Sequence, residues 1–341
     1  MLAEPGRSVL RGLPAVRPAA NRTGRRRQGE AVLEQIREYE VHDWRFKRLA
    51  SMNARLVRLW SGAAWAEGPV WFADANQLLF SDIPNDRILR FVPDVTGLEG
   101  QVSVFRQPAG NTNGHTRDRE GRLVSCSHRH RRVERTEPDG RITVLADRWN
   151  GRRLNSPNDV VVKSDGTVWF TDPAYGIDTV LEGEKGEREY GGCFVFRLDP
   201  RDGRLEPVVD RMQRPNGLCF SPDERFLYVA DTGISHDPQG PRHIRRFRVQ
   251  EDGRLAGGEV FASCEVGVFD GFRCDSDGRL WTSAGDGVHC YDPEGRLLGK
   301  IKVPEVVANL CFGGPRRNRL YICGTTSLYA VWTHVTGAQV P

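Results

Sequence analysis

The chain has 341 residues, enough for one large domain or two ordinary ones. Its formal net charge of +4 misleads: residues 1–30 hold seven Arg and two Glu, which contribute +5 and leave −1 for the rest. A near-neutral body gives nucleic-acid binding no electrostatic support, and the absence of any apolar run of about 18 residues argues against a membrane span.

Residues 1–30 are rich in Arg, Pro and Gly, and read as a flexible basic arm. They lack the apolar stretch of an ordinary signal peptide, so a cytoplasmic location is expected. The eight Cys show no CxxC or Cys/His zinc spacing, and several sit in apolar runs such as GLCFS and NLCFG. There they read as reduced, buried small hydrophobes. Residues 31–48 (AVLEQIREYEVHDWRFKR) are expected to form a short helical lead-in, and strand alternation begins at ARLVRLW.

From residue 49 to 334 the pattern is that of strands. GPVWF, LLFSD and ILRF follow one another in the first unit, with VVV, VWFTD and CFVFRLD in a later one. Phe, Trp, Val, Tyr and Leu alternate with polar residues, as half-buried strands require. SDG, DSDG and PDER stand between them as turns, where Asp bonds its own backbone and Gly supplies positive φ. Six units open next to an acid or an amide: Glu67, Asn113, Asn158, Asn216, Asp270 and Asn309. The gaps, by subtraction, are 46, 45, 58, 54 and 39 residues. A repeat of that length, about four short strands, predicts an all-β, six-bladed β-propeller. ARLVRLW should close the ring by pairing with the last unit, which removes an open edge. The insertion at residues 175–193 is either a cover over one mouth of the channel or a solvated charged loop.

In a propeller the six openings face one axis. Glu67, Asn158, Asn216 and Asp270 then form a hard oxygen set suited to Ca²⁺ or Mg²⁺. DG and NG are also common turn formers, and spacing alone leaves both readings of Asn216 and Asp270 open.

AEGPVW (66–71), LLFSDIPNDRI (78–88), LNSPNDVVVKSDGTVWFTDPAYGI (154–177), RPNGLCFSPDERFLYVADTG (214–233) and DGFRCDSDGRLWTSAGDGVH (270–289) carry a family likeness. They closely resemble bacterial gluconolactonases, within the wider group that includes the senescence marker protein (regucalcin) lactonases. The resemblance spans roughly residues 40–332. It implies a metal-dependent lactonase that opens a sugar lactone such as glucono-1,5-lactone to the aldonic acid. It also implies one divalent ion on the axis, Ca²⁺ favoured over Mg²⁺, Mn²⁺ or Zn²⁺, with Glu67, Asn158, Asn216 and Asp270 as ligands. The family's usual PDG is Phe269-Asp270-Gly271 here, which leaves the acid in place. In regucalcin-type members an Arg two residues before the second ligand holds substrate hydroxyls, and Ser156 occupies that place here. Asp270 is the expected general base, and no GxSxG elbow supplies a serine nucleophile. Asn113, His115, His128, Tyr175 and Asn309 are the expected substrate contacts. Two other functions compatible with the same column are a metal-dependent esterase or phosphotriesterase and a non-catalytic ligand-binding propeller. Neither nucleic acid nor membrane is an expected partner, and oligomeric state is not legible.

Overall fold

The computed structural model describes residues 38–338. Among the described residues, alternating apolar residues build six antiparallel sheets of four or five strands, each wound outward from an innermost strand, beside one two-stranded ribbon. The innermost strands are Ala66–Phe72, Thr112–Arg117, Val160–Val162, Pro215–Phe220, Phe272–Cys274 and Val307–Gly313, in blades I to VI. Each touches the next in cyclic order, and the sixth returns to the first. The architecture is the expected six-bladed propeller. Apolar side chains fill the spaces between neighbouring blades: Trp169, Leu218 and Val229 between blades III and IV, and Phe269, Phe272 and Tyr228 between IV and V. All eight Cys are free and buried, as their apolar settings suggested.

Ring closure follows the expected route. Val57–Ser61 pairs antiparallel with Ser327–Trp332 as the outer strand of blade VI, so the two ends of the propeller share one sheet. The lead-in differs from expectation. Residues 31–37 lie outside the described residues, Tyr39–Val41 is a strand, and only Trp44–Arg48 is helical, as a 3₁₀ turn. Tyr39–Val41 pairs with Gly299–Ile301 and gives blade V a fifth strand. Phe46, fully buried, anchors that turn on Gly299, where an added Cβ would stand 2.3 Å from the Phe46 ring. Burial of one aromatic ring and pairing of a free sheet edge outweigh the local helix pattern.

The turns behave as their residues dictate. Asp275 is representative: its Oδ1 accepts from the backbone N–H of Asp277 and Arg279, both at 3.0 Å, across the DSDG turn. Among the described residues no helix is long and apolar enough to cross a membrane.

Candidate active site on the propeller axis

The six column residues meet at one end of the channel. Asn309 Nδ2 donates to Glu67 Oε2 at 2.9 Å, joining blades VI and I. Asn113 Nδ2 donates to Asn158 Oδ1 at 2.8 Å, and Asn158 Nδ2 to Asn216 Oδ1 at 2.5 Å, joining blades II, III and IV. Asn216 also hydrogen-bonds the Asp270 carboxyl in blade V. Residues up to 242 positions apart thus touch, which only radial repetition brings about.

The glycine after four of these residues has a packing role. A Cβ on Gly68 would lie 2.0 Å from the Asn113 carbonyl oxygen, and one on Gly217 only 1.9 Å from that of Asp270. On Gly114 it would approach the Asn158 carbonyl oxygen at 2.5 Å, and on Gly271 the Asn309 side chain at 1.9 Å. Asn216-Gly217 and Asp270-Gly271 therefore do not shape hairpin turns. Each glycine lets the backbone of one blade press against the column residue of the next.

Hydroxyls from the second strands brace the ring. Ser81 Oγ donates to the Asn113 carbonyl at 2.9 Å, Thr171 Oγ1 to that of Asn216 at 2.7 Å, and Ser283 Oγ accepts from Asp270 N at 2.9 Å. Three aspartates that end second strands hold the loops leading into the inner strands. Asp82 accepts from Ala64 N, Asp172 from Asn155 N, and Asp231 from Gln213 N and Arg214 N. The recurring LLFSD, VWFTD and LYVAD endings carry this signal in the sequence.

The two acids differ in access. Glu67 is 2% exposed, whereas Asp270 is only partly buried. Burial pushes the Glu67 carboxyl up to about 8, against the pull of the Asn309 and Gly68 hydrogen bonds, and Asp159 adds to the rise. Asp270 is held well above the ordinary range, first by desolvation and then by the charges of Glu67, Asp159 and Glu182. Among the described residues no three His, Cys, Asp or Glu side chains gather as a metal-binding group, so half of any oxygen cage on this axis would be amide.

The expected substrate contacts fall into two kinds. His115 is fully buried, with Nε2 2.8 Å from Ser81 Oγ and Nδ1 2.8 Å from Ser125 Oγ. Both ring nitrogens serve the wall, and burial lowers the imidazole to about 3. His128, also fully buried, reaches Asn113 Nδ2 at 3.4 Å and the Glu182 carbonyl at 3.1 Å, so it joins the column to the 175–193 insertion. Asn309 spends its amide on Glu67 and its carbonyl on Leu310 N. Asn113, also buried, is committed to Asn158. Ser156 is a loop brace, donating to Pro173 O at 2.7 Å and accepting from Gly176 N at 3.0 Å.

Tyr175 stands apart. It opens a helical turn, Tyr175–Asp178, and its hydroxyl meets Thr232 Oγ1 at 2.6 Å and Ser235 Oγ at 2.9 Å. Burial raises the phenol to about 12, and the charge of Asp270 contributes. Arg214 lies over the Tyr175 ring at 4.9 Å and pairs with Asp178 Oδ2 at 2.7 Å, while the His236 ring sits 5.5 Å from that of Tyr175. Arg214 and Asp178 were missed because neither lies in the column register. Glu182 follows on the same insertion, with 36% of its side chain exposed. The insertion therefore covers the mouth where the column opens.

Comparison with known proteins agrees with this fold. A family model described as the SMP-30/gluconolactonase/LRE-like region matches residues 65–326. A gluconolactonase from Zymomonas mobilis is 33% identical over 81% of this chain and 81% of its own. A pentonolactonase from Haloferax volcanii is 30% identical over 75% of this chain and 80% of its own. The solved structure of a gluconolactonase from Xanthomonas campestris, 36% identical, superposes with a TM-score of 0.80 over 87% of this chain and 94% of that one. With its motifs, its propeller and these likenesses all in agreement, the chain belongs to the SMP-30/gluconolactonase/LRE-like family.

Proposed function

We propose that this protein hydrolyses a sugar lactone, with glucono-1,5-lactone as the first candidate, at the mouth framed by Asp270, Tyr175 and Arg214. A divalent cation, Ca²⁺ favoured, would be held by Glu67, Asn158, Asn216 and Asp270. The donors fit such an ion. They are hard oxygens carrying two negative charges, and the charge of Glu67 reaches the Asp270 carboxyl. When bound, the ion would supply Lewis-acid polarisation of the lactone carbonyl.

The chain's own groups divide the remaining work. Asp270 reaches solvent where Glu67 does not, which favours Asp270 as the base that takes a proton from water. Arg214 and the Tyr175 hydroxyl present donors at the same mouth, suited to the ring hydroxyls of a sugar. The 175–193 insertion limits bulk water above them, which strengthens each polar contact. Once protonated, Asp270 returns its proton to the departing ring oxygen or to solvent.

The observation that carries this reading is the pairing of a sealed acid with an accessible one at a single mouth. Acid release from glucono-1,5-lactone, corrected for spontaneous hydrolysis, tests it with and without a chelator. Hydrolysis that a chelator abolishes and Ca²⁺ restores is the expected result. Full activity after exhaustive chelation would remove the metal from the mechanism, and no activity on any aldonolactone would favour a binding protein.

A further inference from the structure

Blade III departs from the glycine rule of the column. Asp159 follows Asn158, and its carboxylate is 1% exposed. It accepts from Val160 N at 2.9 Å and Leu218 N at 3.4 Å. Arg273 of blade V, 4% exposed, brings Nη1 to 3.4 Å from Asp159 Oδ2 and donates to the Phe272 carbonyl at 2.7 Å. Blades III and V are not neighbours, so this pair crosses the interior of the ring past blade IV. Beyond it, at the opposite end of the inner strands, lies a cavity of about 400 Å³ lined by Arg273, Thr116, Val161 and Cys219. The pair thus floors the mouth that holds the column.

We propose that Arg273 and Asp159 set the charge of the axial site, and with it the preference for a divalent over a trivalent cation. The inference rests on the reading of Glu67, Asn158, Asn216 and Asp270 as cation ligands. With Glu67 and Asp270 ionised against a bound cation, Glu67, Asp159 and Asp270 contribute −3 and Arg273 +1, which leaves −2 on the axis. The field of Asp159 reaches both Glu67 and Asp270, and that of Arg273 opposes it at Glu67. Glu182 is the remaining acid near Asp270, but it sits at the solvent boundary, where screening weakens it. A buried ion pair adds little net stability, because desolvation offsets its attraction. Its contribution here is the field it sets: with Asp159 neutralised, two negative charges face the ion; without Arg273, three would.

Isothermal titration of the full chain with Ca²⁺ and with La³⁺ measures the consequence as a ratio of affinities. Arg273→Met should raise the La³⁺-to-Ca²⁺ ratio about tenfold or more, since one added charge within a few ångströms favours the higher valence. Asp159→Asn should lower the ratio by a similar factor, and the double variant should return to within about threefold of the parent. Opposite shifts from the two single variants cannot come from general damage. If one single variant fails to fold, the other compared with the double variant still isolates one charge. Ratios that do not move while the parent binds Ca²⁺ would overturn the proposal alone. A parent that binds neither ion would instead sink the ligand assignment beneath it.

Discussion

The two ends of the same six inner strands are chemically unlike. At their starts stand Glu67 and Asp270 with four amides, and among the described residues no basic side chain hydrogen-bonds either carboxylate. At their far ends Glu224 is matched by Arg119 and Lys163, at 3.5 and 3.4 Å, and just below the column Asp159 is matched by Arg273 at 3.4 Å. Unbalanced buried charge is costly, and a fold tolerates it where a ligand or a reaction supplies the missing partner. Balanced charge at the opposite end asks for none.

Substitutions at the two ends should therefore separate chemistry from architecture. The largest effect is expected at Asp270. Asp270→Asn should reduce kcat by about 10²–10⁴-fold while leaving Tm unchanged or raised, since it removes a like charge in the field of Glu67. A loss of kcat that merely tracks a loss of folded protein would break the contrast. Gly217→Ala comes next. Its methyl would meet the Asp270 carbonyl oxygen at 1.9 Å, so a cost of about 1–3 kcal/mol in chemical denaturation and a fall in kcat/KM should appear together.

A third effect is titrational. His115 is held neutral at about 3, below the ordinary imidazole value of roughly 6.5. Its stabilising contribution is present above the unfolded value and is lost as pH falls from about 6.5 toward 3, amounting to a few kcal/mol at the acid end. Denaturation midpoints at pH 7 and pH 4 should differ less in His115→Gln than in the parent. An equal acid sensitivity would show that other groups dominate. Tyr175→Phe should raise KM several-fold with a stability change of about 1 kcal/mol, the value of hydroxyl bonds at a half-buried rim. Smallest of all, Glu224→Gln at the far end should shift stability by less than about 1 kcal/mol and leave kcat/KM untouched.

Much of this was legible in the residues. Alternation marked the strands, the spacing of six polar openings counted the blades, and ARLVRLW was recognisable as the strand that completes the ring. The insertion at 175–193 reads from the sequence as either a cover or a solvated charged loop, and contacts between blades were needed to choose. Other features escaped for specific reasons. His115 resembled a channel residue because strand counting gives the face of a side chain but not its partners, and Ser81 and Ser125 come from other strands. Asp82, Asp172 and Asp231 looked like strand ends, while their oxygens in fact hold the loops that aim the column. Tyr39–Val41 carried a helical pattern that a free sheet edge overrode.

By itself the sequence determined the period, the closure and the register that sends Glu67, Asn158, Asn216 and Asp270 to one axis. These depend on alternation and repeat length, which are local and additive along a chain. Tertiary structure alone decided which acid is sealed and which is open, that Arg273 crosses to Asp159, and that Arg214 lies over Tyr175. Such outcomes depend on burial and on contacts between blades, and neither has a signature in any one stretch of residues.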